Sequence, residues 1–101
     1  MTVRRGEIWR YQAVMRERIV LVVSCDPLNE DGRILVMDIL DFEPPGPRRM
    51  VTVDLAPHGY GYGHIIGVAP GDRFLERLGI ATGEQMTAVK SVLLSVFDLH
   101  D

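Results

Sequence analysis

Arginines near the start of the chain are the side chains best suited to bind a negatively charged group. Arg18 comes directly before the apolar run 19–23, Arg16 stands two residues earlier, and Arg5 lies near the N-terminus. Residues 1–24 hold five arginines against two glutamates, a net charge of +3, whereas residues 25–101 hold six basic against twelve acidic residues, a net charge of −6. Because phosphate contacts depend on local charge, this asymmetry predicts an anion site beside the first strands. The alternative is an ordinary surface whose charges happen to cluster.

Side chains that could transfer a proton are spread more widely. Asp38 interrupts the apolar run 34–40, Asp41 follows it, and His64 belongs to the residue type that titrates near neutral pH. A carboxylate beside a phosphate is electrostatically unfavourable, and a histidine that opens a strand is more often structural. No spacing of histidines and cysteine resembles a zinc site, so no metal is expected. A lone cysteine, Cys25, excludes an internal disulfide.

Three further residues have side chains that suit a nucleic acid. Arg48 and Arg49 follow a proline-rich stretch, and Tyr60 lies in a segment rich in glycine and tyrosine. A guanidinium binds phosphate, and a tyrosine ring stacks on an unpaired base. The alternatives are solvated loop charges and an incidental aromatic residue at a hairpin tip.

Hydrophobic patterning predicts the elements that must position these residues. Strands are predicted at 7–11, 19–23, 34–40, 50–55 and 64–68. The run 19–23 is continuous and β-branched, which predicts a central strand covered on both faces, whereas 7–11 alternates and predicts one solvated face. Prolines and glycines predict irregular loops at 42–49 and 58–63, and the segment 25–32 reads as a turn.

One long helix is predicted close to the C-terminus. Thr82 followed by Gln85 gives a capping-box pattern, and Leu94 widens the apolar stripe. Apolar residues then recur at helical spacing, at Met86, Val89, Leu93 and Val96. Residues 73–78 predict a single helical turn before it. Strands followed by one helix predict a mostly β, α+β fold, a small partly open barrel of five to seven short strands with a C-terminal amphipathic helix.

The size of the chain fits one domain. It has 101 residues, of which 47% are hydrophobic, which suits a folded globular protein. The longest apolar runs fall far short of the roughly 20 residues that a membrane helix requires, and no secretory signal is visible. We therefore expect a cytoplasmic protein that does not contact a membrane.

Two segments resemble a known family. Residues 5–9, Arg-Gly-Glu-Ile-Trp, look like the Arg-Gly-(Glu/Asp)-Ile/Val-Trp/Tyr opening of the MazF/PemK toxins. Residues 18–26, Arg-Ile-Val-Leu-Val-Val-Ser-Cys-Asp, are similar to that family's Arg-Pro-Val-Leu-Val-Val-Ser-Asn-Asp segment. The resemblance implies an SH3-like barrel, usually a homodimer, that cuts single-stranded RNA without a metal or other cofactor. It also implies an antitoxin protein that covers the same groove.

The resemblance also implies roles for particular residues. Arg18 occupies the place of the family's catalytic arginine, and Arg5 and Arg16 would bind flanking phosphates. The family's catalytic threonine or serine corresponds to Leu40, which has no hydroxyl. Asp38, Asp41 or His64 would then replace the missing group, and Arg48, Arg49 and Tyr60 would add contacts to the nucleic acid.

Two hypotheses from different classes follow. The first is a ribonuclease toxin in which Arg18 stabilises charge on the pentavalent phosphorus. The second is a binding module for RNA, DNA or an antitoxin peptide that has lost the cleaving residue at Leu40. The preserved N-terminal segments favour the enzyme, and Leu40 favours the binding module.

Overall fold

A computed structural model describes residues 2–97 and contains one antiparallel sheet with a long C-terminal helix. The sheet has six strands in the spatial order β4-β5-β3-β2-β1-β6. The strands are β1 Glu7–Gln12, β2 Glu17–Val22, β3 Arg33–Leu40, β4 Thr52–Asp54, β5 Tyr60–Pro70 and β6 Phe74–Ile80. The helices are α1 Asp26–Glu30 and α2 Gly83–Phe97, with 3₁₀ turns at Gly46–Val51 and Gly71–Arg73. The predicted mostly β fold with a C-terminal helix is confirmed.

The short connection between β5 and β6 requires the sheet to curl. These strands are four positions apart in the sheet, which would separate them by about 19 Å if the sheet were flat. Only Gly71–Arg73 joins them, and four Cα-to-Cα steps reach at most about 14 Å. Residues from β1, β2, β3, β5 and β6 accordingly meet in one apolar cluster. The sheet therefore forms a partly open barrel.

Both faces of the sheet are packed, so adjacent residues of a strand enter different cores. Ile8 lies in the cluster beneath α2, whereas Trp9 lies in the cluster inside the curl. Leu21 likewise lies in the cluster beneath α2, and Val20 lies in the cluster inside the curl. Val20, Leu21 and Val22 are all buried. The prediction that this strand is covered on both faces is confirmed, because side chains alternate across a sheet.

The strand β1 corrects the prediction of one solvated face. Its first three residues are all buried, including Glu7. The Glu7 carboxylate accepts hydrogen bonds from the Arg4 backbone N–H at 2.8 Å, from Trp9 Nε1 at 3.1 Å and from Arg77 Nη1 at 3.3 Å. A buried carboxylate is tolerable only with such partners. Glu7 therefore has a structural role, which the alternation of polar and apolar residues in the sequence does not reveal.

The start of α2 confirms the predicted capping box. Gln85 N–H donates to Thr82 Oγ1 at 3.0 Å, and Thr82 N–H donates to Gln85 Oε1 at 2.9 Å. Val89 of α2 is fully buried against the sheet, as the predicted apolar stripe requires. Leu94 is 64% exposed, so the predicted stripe is narrower than expected.

The loop predicted at 58–63 is confined to its first two residues, because β5 begins at Tyr60. Glycines are needed in this strand because other groups approach its backbone closely. A Cβ at Gly61 would lie 2.8 Å from Leu55 Cδ1, and one at Gly63 would lie 2.5 Å from Val92 Cγ1. Glycine here allows α2 and the β4 region to pack on the strand, a tertiary reason that local patterning does not reveal.

Residues 74–78, predicted as part of a helical turn over 73–78, belong to the strand β6, and Arg73 ends the 3₁₀ turn before it. Pairing with β1 skips one residue of β6 at Leu75 and another at Leu78. These bulges break the alternation by which a strand is recognised in a sequence, and both leucines are exposed.

Prolines begin short helices at two places where irregular structure was predicted. Pro47 lies in the first turn of the 3₁₀ segment Gly46–Val51, and Pro27 lies in the first turn of α1. Proline is tolerated there because the N–H groups of a first turn have no partner within the helix. The predicted strand 50–55 shortens to β4 for the same reason, since Met50 and Val51 belong to the 3₁₀ segment.

Gly63→Ala should lower the free energy of unfolding by about 1–3 kcal/mol, because the new methyl group meets Val92 in a packed core. Gly67→Ala is the matched control in the same strand, since nothing lies within 4 Å of its Cβ position. Urea unfolding monitored by Trp9 fluorescence measures both variants. Equal stability of the two would contradict the close packing of α2 on β5.

Candidate functional site

The candidate site is built around an ion pair between a residue of β2 and a residue of β3. Arg18 Nη1 donates to Asp38 Oδ2 at 2.6 Å. Ile19 pairs with Ile39 in the ladder, so the register continued by one step places Arg18 opposite Leu40. The side chain of Asp38 is only 14% exposed. Its interruption of an apolar strand is therefore explained by a charged partner on the neighbouring strand.

The guanidinium of Arg18 retains hydrogen-bonding capacity. Its Nε is buried and has no hydrogen-bond partner among the described residues. An arginine offers five N–H donors, of which Asp38 engages Nη1 alone. Because an unpaired buried donor costs about 1–3 kcal/mol, such a group is expected where a ligand supplies the missing acceptor.

Two cavities meet at this ion pair, and both include Arg18 and Asp38 in their walls. The charged groove has a volume of about 280 Å³, and the apolar groove has a volume of about 180 Å³. The charged groove is further lined by Arg16, Glu17, Ile19, Ile39, Leu40, Asp41 and Phe42. The apolar groove is further lined by Tyr11, Ala13, Val20, Val36 and residues 65–69.

The structure brings together four of the residues singled out in the sequence. Arg16, Arg18, Asp38 and Asp41 all line the charged groove, together with Leu40. Arg16 lies in the turn between β1 and β2, where Ala13 N–H donates to the Arg16 carbonyl at 2.9 Å. The short hairpin thus brings an arginine to the wall of the groove.

Other predicted residues lie elsewhere. Arg5 lines a separate cavity of about 320 Å³ with Lys90 of α2. Arg49, in the 3₁₀ segment that also holds Arg48, has its Nε 4.0 Å from Glu43. Neither Arg48 nor Arg49 lines either groove.

Tyr60 and His64 belong to β5 and lie near the grooves without lining them. Tyr60 pairs with Leu40 across the ladder and contributes to a cavity with Asp54 and Gly59. His64 is exposed and its ring lies 5.7 Å from that of Tyr62. It does not line either groove, although its neighbour Ile65 lines the apolar one.

Tyr11 is a residue of the site that the motif search missed. It pairs directly with Arg18 in the β1–β2 ladder and lines the apolar groove. Its ring packs edge-on against Phe74, with centroids 5.2 Å apart. The signal available in the sequence was the hairpin itself, because a short turn fixes which residues face each other.

Part of the positive charge of the N-terminal segment is already neutralised. Arg10 donates to Glu17 at 3.0 Å and to Glu76 at 3.3 Å. These hydrogen bonds, that to Glu17 foremost, raise the pKa of Arg10 above its ordinary value. Glu17 is therefore engaged with Arg10, which leaves Asp38 and Asp41 as the other carboxylates that line the charged groove.

The charged groove supplies cations and carboxylates and lacks a hydroxyl group. None of the described residues that line it is a serine, threonine or tyrosine. Within residues 2–97 no cluster of histidine, cysteine and carboxylates has the arrangement of a metal site. The groove can therefore bind an anion and accept a proton through a carboxylate.

None of the helices described is long and apolar enough to span a membrane.

Comparison with solved structures identifies the fold. An endoribonuclease from a mycobacterial species, in complex with its cognate antitoxin, superposes with a TM-score of 0.87 at 18% identity over 99% of both chains. MazF from Deinococcus radiodurans gives a TM-score of 0.76 at 20% identity over 98% of this chain and 99% of its own. The Mycobacterium tuberculosis toxin MazF-mt6 gives 0.76 at 15% identity over 94% and 99%.

No protein-family model and no curated protein sequence matches this chain. At the identities given, the structural likeness establishes the fold, which is that of the MazF toxins. The fold expected from the N-terminal segments is thereby confirmed.

Proposed function

We propose that this protein is an endoribonuclease that cleaves single-stranded RNA in the charged groove without a metal ion. The observation that carries the proposal is the position of Arg18, whose guanidinium forms a wall of the groove and has a buried donor without a partner in the part of the chain that the structure describes. The MazF fold supports it, since the neighbours of known activity are endoribonucleases.

The proposed reaction is attack by a ribose 2′-hydroxyl on the adjacent phosphorus. The 2′-oxygen forms a bond to phosphorus, the bond to the 5′-oxygen breaks, and the products are a 2′,3′-cyclic phosphate and a 5′-hydroxyl. Arg18 would stabilise the charge that develops on the non-bridging oxygens, because a guanidinium stays protonated and donates in a planar fork.

Asp41 is the proton acceptor that the geometry favours among the predicted candidates. It lines the charged groove, whereas Asp38 is held by Arg18 and His64 lies outside the groove. Arg16 and Arg18 would offset the repulsion between its carboxylate and the phosphate. The leaving 5′-oxygen would take its proton from water, which predicts a slow enzyme.

Arg18→Ala should reduce the cleavage rate of an unstructured RNA by about 10²–10³-fold, the loss seen when one preorganised donor to a developing oxyanion is removed. The assay is run in EDTA, and 5′-hydroxyl ends are mapped. Arg73→Ala, an exposed arginine of the β5–β6 connection, is the control and should cleave at the parental rate. Undiminished cleavage by Arg18→Ala would remove this residue from the mechanism.

A second candidate function is a non-catalytic module that binds RNA, DNA or an antitoxin peptide. Leu40 is the observation that favours it, because leucine at this position in the groove cannot exchange a proton. Such a module would bind RNA without producing new ends.

Replacement of Leu40 distinguishes the two functions. Leu40→Thr should raise the cleavage rate by about 10²–10⁴-fold, the usual contribution of a well-placed proton-transfer group. Leu40→Val has the same shape as threonine without the hydroxyl and is the matched control. Equal cleavage rates for the two variants would exclude position 40 from the chemistry. RNA binding without cleavage by the parent protein and by both variants would support the non-catalytic binding module.

An antitoxin is the proposed protein partner, and the cytoplasm is the proposed location of the complex. The support is that structural neighbours were solved with an antitoxin or with MazE. We propose that a segment of the antitoxin covers the charged groove, where carboxylates of the peptide would pair with Arg16 and Arg18.

We also propose a homodimer. Leu75, Leu78 and Ile80 are exposed on the edge strand β6, and Leu94 is exposed on α2, which leaves apolar surface for a second copy to cover. Sedimentation equilibrium at micromolar concentration should give twice the mass of the chain. A monomeric mass under these conditions would contradict the dimer.

A further inference from the structure

We propose that the apolar groove binds one unpaired guanine base of the RNA and that Asp38 selects it. The inference rests on the proposed function, because it assumes that RNA enters the neighbouring charged groove. The two cavities share Arg18 and Asp38, so a strand whose phosphate lies in one can place the adjacent base in the other.

The walls of the apolar groove suit a flat aromatic ring. Tyr11 forms one side and is held in place by its edge-on contact with Phe74. Ile65 and Val68 line the groove as well, and Val68 is 63% exposed. Sequence-specific recognition of RNA places splayed bases against such surfaces. A base in this position would cover apolar surface that the chain itself leaves in contact with water.

The polar part of the groove discriminates among bases. Asp38 Oδ2 receives the Arg18 hydrogen bond, and Oδ1 makes no hydrogen bond to the described residues. The ion pair fixes the carboxylate in the groove as a negatively charged acceptor. Guanine presents two adjacent donors, N1–H and the N2 amino group, with the O6 acceptor beside them. The carboxylate can accept from the donors while a free N–H of Arg18 donates to O6.

The other bases match this arrangement less well. Adenine presents a single amino group beside the N1 acceptor, whose lone pair would face the Asp38 carboxylate. Cytosine has the same combination at N4 and N3, and uracil offers only the N3–H donor. A buried carboxylate opposite an acceptor disfavours the wrong base, so selection arises from repulsion as well as attraction.

Binding of short 2′-O-methyl RNAs tests the inference, because these cannot be cleaved through the 2′-hydroxyl. Pentamers of uridine with a single central guanine, inosine or adenine are titrated by fluorescence anisotropy. The parent protein should bind the guanine pentamer about 10-fold more tightly than the adenine pentamer, as expected for one good paired contact to a base. Inosine lacks the N2 amino group and should fall between them.

Two aspartate variants assign the preference to its residue. Asp38→Asn replaces one acceptor oxygen by a donor and should abolish the preference for guanine. Asp72→Asn makes the same change of charge at an exposed position of the β5–β6 connection and should keep it. Unfolding curves of both variants verify that they are folded, and the comparison of bases in the parent protein needs no variant.

The possible outcomes separate this inference from the proposed function. Equal binding of guanine and adenine by the parent overturns the guanine site while RNA binding stands. A preference that persists in Asp38→Asn overturns the role of Asp38. Failure to bind any of the pentamers, together with no cleavage of unmodified RNA, overturns the inference and the proposed function together.

Discussion

Packing on both faces of one short sheet is the constraint on which the rest of this structure depends. The strands β1, β2 and β3 each send residues both into the cluster beneath α2 and into the cluster inside the curl. A polar side chain in the middle of such a strand has no wet face to occupy. It must therefore find a partner, as Glu7 does with three donors and Asp38 does with Arg18. The polar chemistry of the protein is thereby limited to a few well-defined places.

The ion pair between Arg18 and Asp38 gives the site opposing properties. Asp38 orients the guanidinium before a ligand arrives, which lowers the entropy lost on binding. The Asp38 carboxylate also neutralises part of the positive charge of Arg18 that would attract a phosphate. The conflict is reduced because the hydrogen bond to Asp38 uses one terminal nitrogen, and Nε has no partner within residues 2–97. A phosphate can therefore bind to the remaining donors while the pair stays intact.

The sequence predicted the features that depend on local interactions. The capping box of Thr82 and Gln85, the central strand β2 and the convergence of Arg16 with Arg18 follow from residues close to one another in the chain. That residues 74–78 and 60–63 form strands was not predictable, because the bulges opposite β1 and the close approach of Val92 are tertiary effects. Arg5 and His64 do not line the grooves for a similar reason, since long-range packing decides where the N-terminal segment and β5 lie.

The bulges of β6 affect how copies of this protein can associate. Edge strands expose unpaired backbone groups on which a second sheet can grow, and continuous sheets that pass from molecule to molecule are a route to fibrous aggregates. At Leu75 and Leu78 the ladder with β1 is interrupted, which twists the outer edge and spoils a regular spacing of donors and acceptors. The backbone geometry of β6 thus disfavours uncontrolled polymerisation through this edge, even though exposed side chains of the strand are apolar.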